Sequence, residues 1–210
     1  MRIASSGGRH YDVTVKSLHR ADLFTWSTFD RERNIDFNSV LWNGGRENVL
    51  IDPLPLSGHD RDHLEQLGNA AWIIVTNSDH VRDTAAIAAG LGAKVAGPAA
   101  ERETFPIACD RWLTTGDEVV AGLTAIEMWG SKTPGELALL LEDSTLITGD
   151  LIRAHRAGRL MLLPDAKLAD KARALESVQG LLAHDGIDAV LVGDGWSVFR
   201  DGRARLRELI

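Results

Sequence analysis

Cysteine is scarce in this chain and long apolar runs are missing. Cys109 is the only cysteine among 210 residues, which excludes an intramolecular disulfide and a thiolate metal cluster. Roughly 20 consecutive apolar residues are needed to span a bilayer, and the sequence has no run of that length. We therefore expect a soluble protein, and the lack of an apolar signal core near Met1 predicts a cytoplasmic location.

Basic residues are also fewer than acidic ones. The chain has 23 Lys and Arg residues against 30 Asp and Glu residues, a formal net charge of -7. Because a negative chain repels polyanions, we expect neither nucleic acid nor a membrane as a partner. A small-molecule ligand or substrate is the expected partner, and the sequence is compatible with a homo-oligomer.

The domain organisation is simple. The hydrophobic content is 44% and no low-complexity linker interrupts the chain, which predicts a single domain over residues 23–210. Residues 1–22 are expected to form a partly flexible extension. Within it, Ser5 to Gly8 have a flexible composition, whereas Tyr11 to Val15 alternate like a strand.

The order of the predicted elements indicates the fold class. A β-meander is followed by a β-α-β unit, a second meander with a turn at Glu142 to Ser144, a helix and a buried strand. The elements that carry this prediction are the strands Phe24–Ser27, Ser39–Trp42, Asn48–Ile51, Trp72–Val75 and Ala189–Val192, and the helices Val81–Leu91 and Ala166–Ala183. Each sheet must bury one face and cover the other. We predict an α/β fold, an αββα sandwich of two mainly antiparallel or mixed sheets flanked by helices.

Polar residues follow several of these strands. Thr76 to Asp79 come directly after a buried strand, Gly149-Asp150 and Gly193-Asp194 end two others, and Lys132 lies in a glycine-rich segment after Met128. Ligands of open α/β sheets bind at the carboxyl ends of strands. Capping of the next helix is the alternative role for Asn77, Ser78 and Asp79. Four such strand ends predict one shared site.

The same segments, in this order, resemble the motifs of the metallo-β-lactamase fold superfamily. The resemblance runs from Leu23 to the C-terminus and includes Ile51-Asp52, Lys132-Thr133-Pro134-Gly135 and Gly193-Asp194-Gly195. It implies an αββα sandwich and hydrolase activity. In the metal-dependent members, the motifs hold two metal ions that activate a water molecule.

The metal-ligand motifs of the superfamily are mostly replaced in this chain. Placed in register with Thr76, the family pattern Thr-His-x-His-x-Asp-His and the later motifs put the usual ligand positions on Asn77, Asp79, Val81, Arg82, Lys132 and Asp194. Only Asp150 keeps the usual residue. A register shifted by one place would retain Asp79-His80 as the Asp-His pair, but it would break the strand boundary.

These replacements suggest a site without a cofactor. Lys and Arg offer no free lone pair to zinc, so we expect Lys132 and Arg82 to form a metal-free network of ion pairs with Asp79, Asp150 and Asp194. In it, Lys132 bridges Asp150 and Asp194. The alternative is one divalent ion such as Mg²⁺, Mn²⁺ or Zn²⁺ held by Asn77, Asp79, Asp150 and Asp194.

Two classes of function are consistent with the residues. The first is a hydrolase in which Asp79, Lys132, Asp150 and Asp194 supply acid, base and electrostatic groups for a small anionic substrate. The second is a noncatalytic relative that binds a small ligand or is only structural. The expected ligand-binding residues are Asn77, His80, Arg82, Arg153, His155 and Arg156.

Two residues behind the motifs have alternative roles. A histidine such as His80 is more often partly exposed and directed away from the cleft. The alternative is that it acts as a general base. Asp52 matches a family aspartate and is expected to orient neighbouring groups.

Overall fold

The first of two packed sheets has seven strands. The computed structural model describes residues 15–44 and 46–210. The strands of this sheet, in spatial and chain order, are β1 (Lys16–Ser17), β2 (Leu23–Asp30), β3 (Ile35–Asn43), β4 (Asn48–Ile51), β5 (Trp72–Ile74), β6 (Lys94–Pro98) and β7 (Arg111–Leu113). Strands β1 to β4 pair antiparallel and β4 to β7 pair parallel. The predicted meander and β-α-β unit are therefore confirmed.

The second sheet has four strands. The remaining strands of the chain are β8 (Leu123–Met128), β9 (Glu136–Leu141), β10 (Thr145–Thr148), β11 (Ile152–Arg156), β12 (Arg159–Leu162) and β13 (Ala189–Val192). The sheet has the order β13-β10-β9-β8, with β10 and β13 parallel and the other pairs antiparallel. Strands β11 and β12 form a separate hairpin.

Helices cover the outer face of each sheet. The α-helices are α1 (Gly58–Gln66), α2 (Thr84–Leu91), α3 (Lys171–Leu181) and α4 (Gly202–Arg207). Side chains alternate across a strand, so Leu137 and Leu139 of β9 pack between the sheets while Ala138 and Leu140 pack with residues of α3 and α4. Residues of α1 and α2 pack with the outer face of the first sheet. The αββα prediction is confirmed.

Two predicted helices begin later than expected. The helix predicted from Val81 begins at Thr84 and follows a separate 3₁₀ turn at Ser78–His80, because Arg82 has a left-handed backbone with φ 46°. The helix predicted from Ala166 begins at Lys171, because the Asp170 side chain accepts a hydrogen bond from the backbone N–H of Arg173 and caps it.

The N-terminal predictions fall largely outside the described residues. Ser5 to Gly8 lie outside them, and so do residues 11–14 of the predicted strand Tyr11 to Val15. Val15 itself is buried and donates its backbone N–H to Asp60 Oδ1 at 2.9 Å. The division at residue 22 stays a prediction, although Lys16–Ser17 already pair with β2. Among the described residues no helix is long and apolar enough to cross a membrane.

Candidate active site

Loops from both sheets meet at one edge of the sandwich. They follow β5, β8, β10 and β13, and they border a cavity of about 580 Å³. Five residues from these loops line it: Asp79, His80, Lys132, Asp150 and Asp194. Asn77 is fully buried and is not part of the lining. The structure thus brings the expected groups together, with Asn77 behind them.

Two glycines allow the strand ends to approach each other closely. A Cβ on Gly149 would lie within 2.9 Å of polar atoms of Thr76, Asn77 and Glu136, and a Cβ on Gly193 would lie 2.8 Å from the His80 ring. Contacts this short would force the neighbouring side chains to move. The glycine that precedes each of Asp150 and Asp194 is therefore a packing requirement of the site.

His80 is directed into the site. It is 4% exposed, its Nδ1 lies 2.8 Å from Asp52 Oδ2, and its Nε2 lies 3.5 Å from Asp150 Oδ2. Asp52 also accepts the backbone N–H of Thr76 at 2.7 Å. The expectation of a partly exposed histidine is wrong, because the 3₁₀ turn at Ser78–His80 rotates this side chain inward. Asp52 orients it.

Arg82 binds backbone rather than carboxylates. Its guanidinium donates hydrogen bonds to the backbone oxygens of Asn38 and Asp52, the latter at 2.8 Å, and it lies over the Phe37 ring at 5.9 Å. Both Arg82 and Asp52 have positive φ angles, 46° and 48°, which are strained for residues other than glycine. Arg82 lines the cavity but does not pair with Asp79, Asp150 or Asp194 as expected.

Asp150 lies between two cations. On one side, Lys132 Nζ is 3.0 Å from Asp150 Oδ2 and 2.6 Å from Asp79 Oδ2. On the other side, Arg153 Nη2 is 3.1 Å from Asp150 Oδ1 and 2.6 Å from Asp194 Oδ2. The bridge between Asp150 and Asp194 is therefore made by Arg153, whereas the sequence predicted Lys132. Arg153 is mostly buried on β11 and reaches both carboxylates.

The charged groups shift one another's pKa values. Burial alone would raise the pKa of Asp150, but His80 and Lys132 hold it well below its ordinary value. Burial alone would lower the pKa of His80, but the charge of Asp52 and hydrogen bonds with Asp150 and Asp52 raise it to about 10. Burial opposes the charged form of Lys132, yet hydrogen bonding and charge from Asp79 and Asp150 raise its pKa.

Three side chains could together hold a metal ion. One ligand atom from each of His80, Asp150 and Asp194 lies within 4.8 Å of the other two. Asp150 Oδ2 and Asp194 Oδ1 are buried and accept no hydrogen bond of good geometry from the part of the chain that is described. That Asp150 oxygen is nevertheless within ion-pair distance of Lys132 Nζ, at 3.0 Å, and of His80 Nε2, at 3.5 Å. Buried acceptors without a hydrogen bond are costly, so Asp194 Oδ1 is available to a cation.

The predicted ligand-binding residues Arg153, His155 and Arg156 contribute to the cavity only in part. Arg153 and His155 line it, whereas Arg156 does not. Burial and the charge of Arg153 lower the pKa of His155, so it adds little positive charge. The prediction missed Arg33, Phe37 and Lys167, which also line the cavity. They come from the β2–β3 hairpin and the segment after β12, where no local motif marks them.

Comparison with known families identifies the superfamily of this chain. The family model of the metallo-beta-lactamase superfamily matches residues 15–210. The chain belongs to this superfamily. A hydroxyacylglutathione hydrolase from Cereibacter sphaeroides is 36% identical over 124 residues, which cover 56% of this chain and 48% of that protein. The chain thus matches about half the length of this curated relative.

Solved structures confirm the fold. The metallo-beta-lactamase FIM-1 from Pseudomonas aeruginosa, in its mono-zinc form, superimposes with a TM-score of 0.73 at 15% identity, covering 94% of each chain. A metallo-beta-lactamase from Pontibacter korlensis has a TM-score of 0.73 at 15% identity, with 94% of this chain and 98% of that chain covered. At such low identity these similarities show the fold alone.

The expectation of a site without a cofactor is wrong. The chain belongs to a superfamily named for its metal, FIM-1 was solved with zinc, and His80, Asp150 and Asp194 form a group that could bind an ion. The register placed on Thr76 gave His80 no metal-ligand role, because this residue falls between the usual ligand positions of the motif.

Proposed function

We propose that this chain is a hydrolase that binds one divalent metal ion between His80, Asp150 and Asp194 and acts on a small anionic substrate. The observation that carries the proposal is the group formed by His80, Asp150 and Asp194, in which the buried Asp194 Oδ1 has no hydrogen-bond partner among the described residues. Membership of the superfamily and the similarity to a hydroxyacylglutathione hydrolase support a hydrolytic role.

The donor set fits a divalent ion. One imidazole nitrogen and two carboxylate oxygens suit Zn²⁺ or Mn²⁺. Asp52 holds His80 Nδ1 at 2.8 Å, so Nε2 is the nitrogen that would bind the ion, after releasing its proton. Arg153 takes one oxygen of Asp150 and one of Asp194, and it does not hydrogen-bond the other oxygen of either residue. Each ligand is thereby oriented by a neighbour, which is typical of metal sites.

One ion fits this site better than two. The ammonium of Lys132 lies between Asp79 and Asp150 and has no lone pair to offer. Asn77 is buried and uses its side-chain oxygen to accept the backbone N–H of Asp79 at 3.0 Å. The alternative ligand set that included Asn77 and Asp79 is therefore replaced by one in which His80 supplies the nitrogen.

The surrounding residues favour an anionic substrate and a hydrolytic reaction. When bound, the ion would supply Lewis acidity and lower the pKa of a water molecule. Lys132 faces the cavity, where its ammonium can stabilise negative charge that develops on the substrate. The cationic residues of the lining outnumber its three carboxylates; they are Arg33, Arg82, Lys132, Arg153 and Lys167. Such a cavity attracts anions.

Metal binding tests the proposal. We expect calorimetric titration of metal-stripped protein with Zn²⁺ or Mn²⁺ to show about one ion per chain, the usual count for a three-ligand site with an open position. His80→Gln retains an N–H donor for Asp52 but lacks the imidazole nitrogen, so its affinity should fall at least about tenfold. His59→Ala, at an exposed position on α1, is the matched control and should bind like the parent.

Turnover distinguishes the two classes of function. The parent, loaded with the ion, should hydrolyse a small ester or thioester that carries a carboxylate faster than its neutral counterpart. A parent that binds no ion, or a His80→Gln variant that binds it equally well, would refute the site. Binding of the ion without turnover on any such substrate would favour the noncatalytic alternative.

A further inference from the structure

A buried carboxylate lies just outside the cavity lining. Glu136, the first residue of β9, is 2% exposed. Its Oε2 accepts a hydrogen bond from Ser131 Oγ at 2.6 Å, and its Oε1 accepts one from the backbone N–H of Leu151 at 2.9 Å. Both oxygens are therefore satisfied by residues from two different loops.

Each partner of Glu136 is adjacent in sequence to a residue of the site. Ser131 precedes Lys132, and Leu151 follows Asp150. These two loops carry the ammonium and the carboxylate that lie 3.0 Å apart. We infer that Glu136 is a positioning residue that joins the two loops and fixes where Asp150 presents its oxygen to the ion. This inference rests on the proposed function for its metal readout.

The backbone before Asp150 is also packed against Glu136. A Cβ built on Gly149 would lie 2.9 Å from Glu136 Oε1 and 2.9 Å from Asn77 Nδ2. The carboxylate thus contacts the chain on both sides of Asp150, at Gly149 and at Leu151. Interiors are close-packed, so a change at Glu136 is transmitted to the Asp150 backbone rather than absorbed by empty space.

Hydrogen-bond chemistry separates two substitutions at this position. The amide of Glu136→Gln can accept the Leu151 N–H with its oxygen and donate to Ser131 Oγ with its nitrogen, so both links are retained. Glu136→Ala leaves the Leu151 N–H and the Ser131 hydroxyl buried without a partner, which allows the two loops to separate. A positioning role therefore predicts rescue by glutamine.

The experiment compares Zn²⁺ affinity across these variants. We expect Glu136→Ala to bind Zn²⁺ about 10- to 100-fold more weakly than the parent, the range typical for groups that orient ligands, and Glu136→Gln to bind within about threefold. Val178→Ala removes a buried side chain of α3 packed on the second sheet and is the control for general destabilisation. Its affinity should match the parent's.

Two results would overturn the inference: parent-like affinity in Glu136→Ala, or equally weak binding in Glu136→Gln. If the parent itself binds no Zn²⁺, the proposed function fails, and hydrogen exchange of the Leu151 amide decides instead. Faster exchange in Glu136→Ala than in Glu136→Gln and Val178→Ala would then support the link between the loops. Equal exchange in all three would refute it.

Discussion

The two sides of Asp150 differ in burial although their ion pairs are similar in length. On the cavity side, Lys132 is 2.6 Å from Asp79, and these side chains are 30% and 52% exposed. On the inner side, Arg153 is 2.6 Å from Asp194, with 9% and 5% exposed. Exposed pairs are screened by water and contribute little. A buried pair cannot lose one partner without leaving an uncompensated charge.

This difference assigns different roles to the two cations. Arg153 is held by Asp150, Asp194 and the Asp150 backbone oxygen, so it is a fixed part of the frame and is not available to an incoming anion. Lys132 retains solvent contact and lines the cavity. A substrate can therefore meet Lys132 at small cost to the fold.

The largest effect is expected from breaking the inner pair. Arg153→Met should lower the free energy of unfolding by about 3 to 5 kcal/mol, because Asp150 and Asp194 remain buried without their shared partner. Chemical denaturation of metal-stripped protein at pH 7 measures this. Arg156→Met, at an exposed position on the same strand, should change stability by no more than about 0.5 kcal/mol. Equal losses in both variants would contradict the comparison.

The pH dependence of stability tests the buried side of Asp150, where Glu136 lies. Burial and the charge of Asp150 raise the pKa of Glu136 from 4.5 to about 7, so between these values the folded state holds a proton that the unfolded state has released. The free energy of unfolding that this group contributes is therefore lost as pH rises from about 4.5 to about 7. The shift corresponds to about 3 kcal/mol. Glu136→Gln should remove this loss.

Denaturation midpoints of parent and Glu136→Gln between pH 4 and 8 provide the measurement. The two proteins should diverge as pH rises, with the variant the more stable near pH 8. Glu176→Gln, at an exposed position of α3, should run parallel to the parent. Parallel curves for Glu136→Gln as well would show that Glu136 stays ionised at low cost.

The smallest effect is expected on the cavity side. Asp79→Asn removes the charge that faces Lys132 at 2.6 Å, but the pair is exposed, so stability should fall by only about 0.2 to 1 kcal/mol. The same denaturation assay tests this. A loss greater than about 2 kcal/mol would place this pair in the same class as the buried one and remove the distinction between the two sides of Asp150.

Sequence patterns predicted the fold better than the site. The continuous apolar run Leu137–Leu141 is typical of a strand that buries both faces, as β9 does, and the polar strand ends anticipated one shared edge. The partners within that edge were harder to predict. For His80 the sequence left both a position off the cleft and a role in the site open, and Glu136 was not considered, because both act through contacts with residues far away in the chain.

By itself, the sequence determined the order of elements, the two-sheet sandwich, and the convergence of Lys132, Asp150 and Asp194 at one edge. Those features follow from local periodicity and from strand ends that a sheet must align. Only the tertiary structure decided which oxygen meets which cation. Arg153 and Asp194 are 41 residues apart and Asp52 and His80 are 28 apart, and such pairings depend on how distant loops pack, which no local pattern specifies.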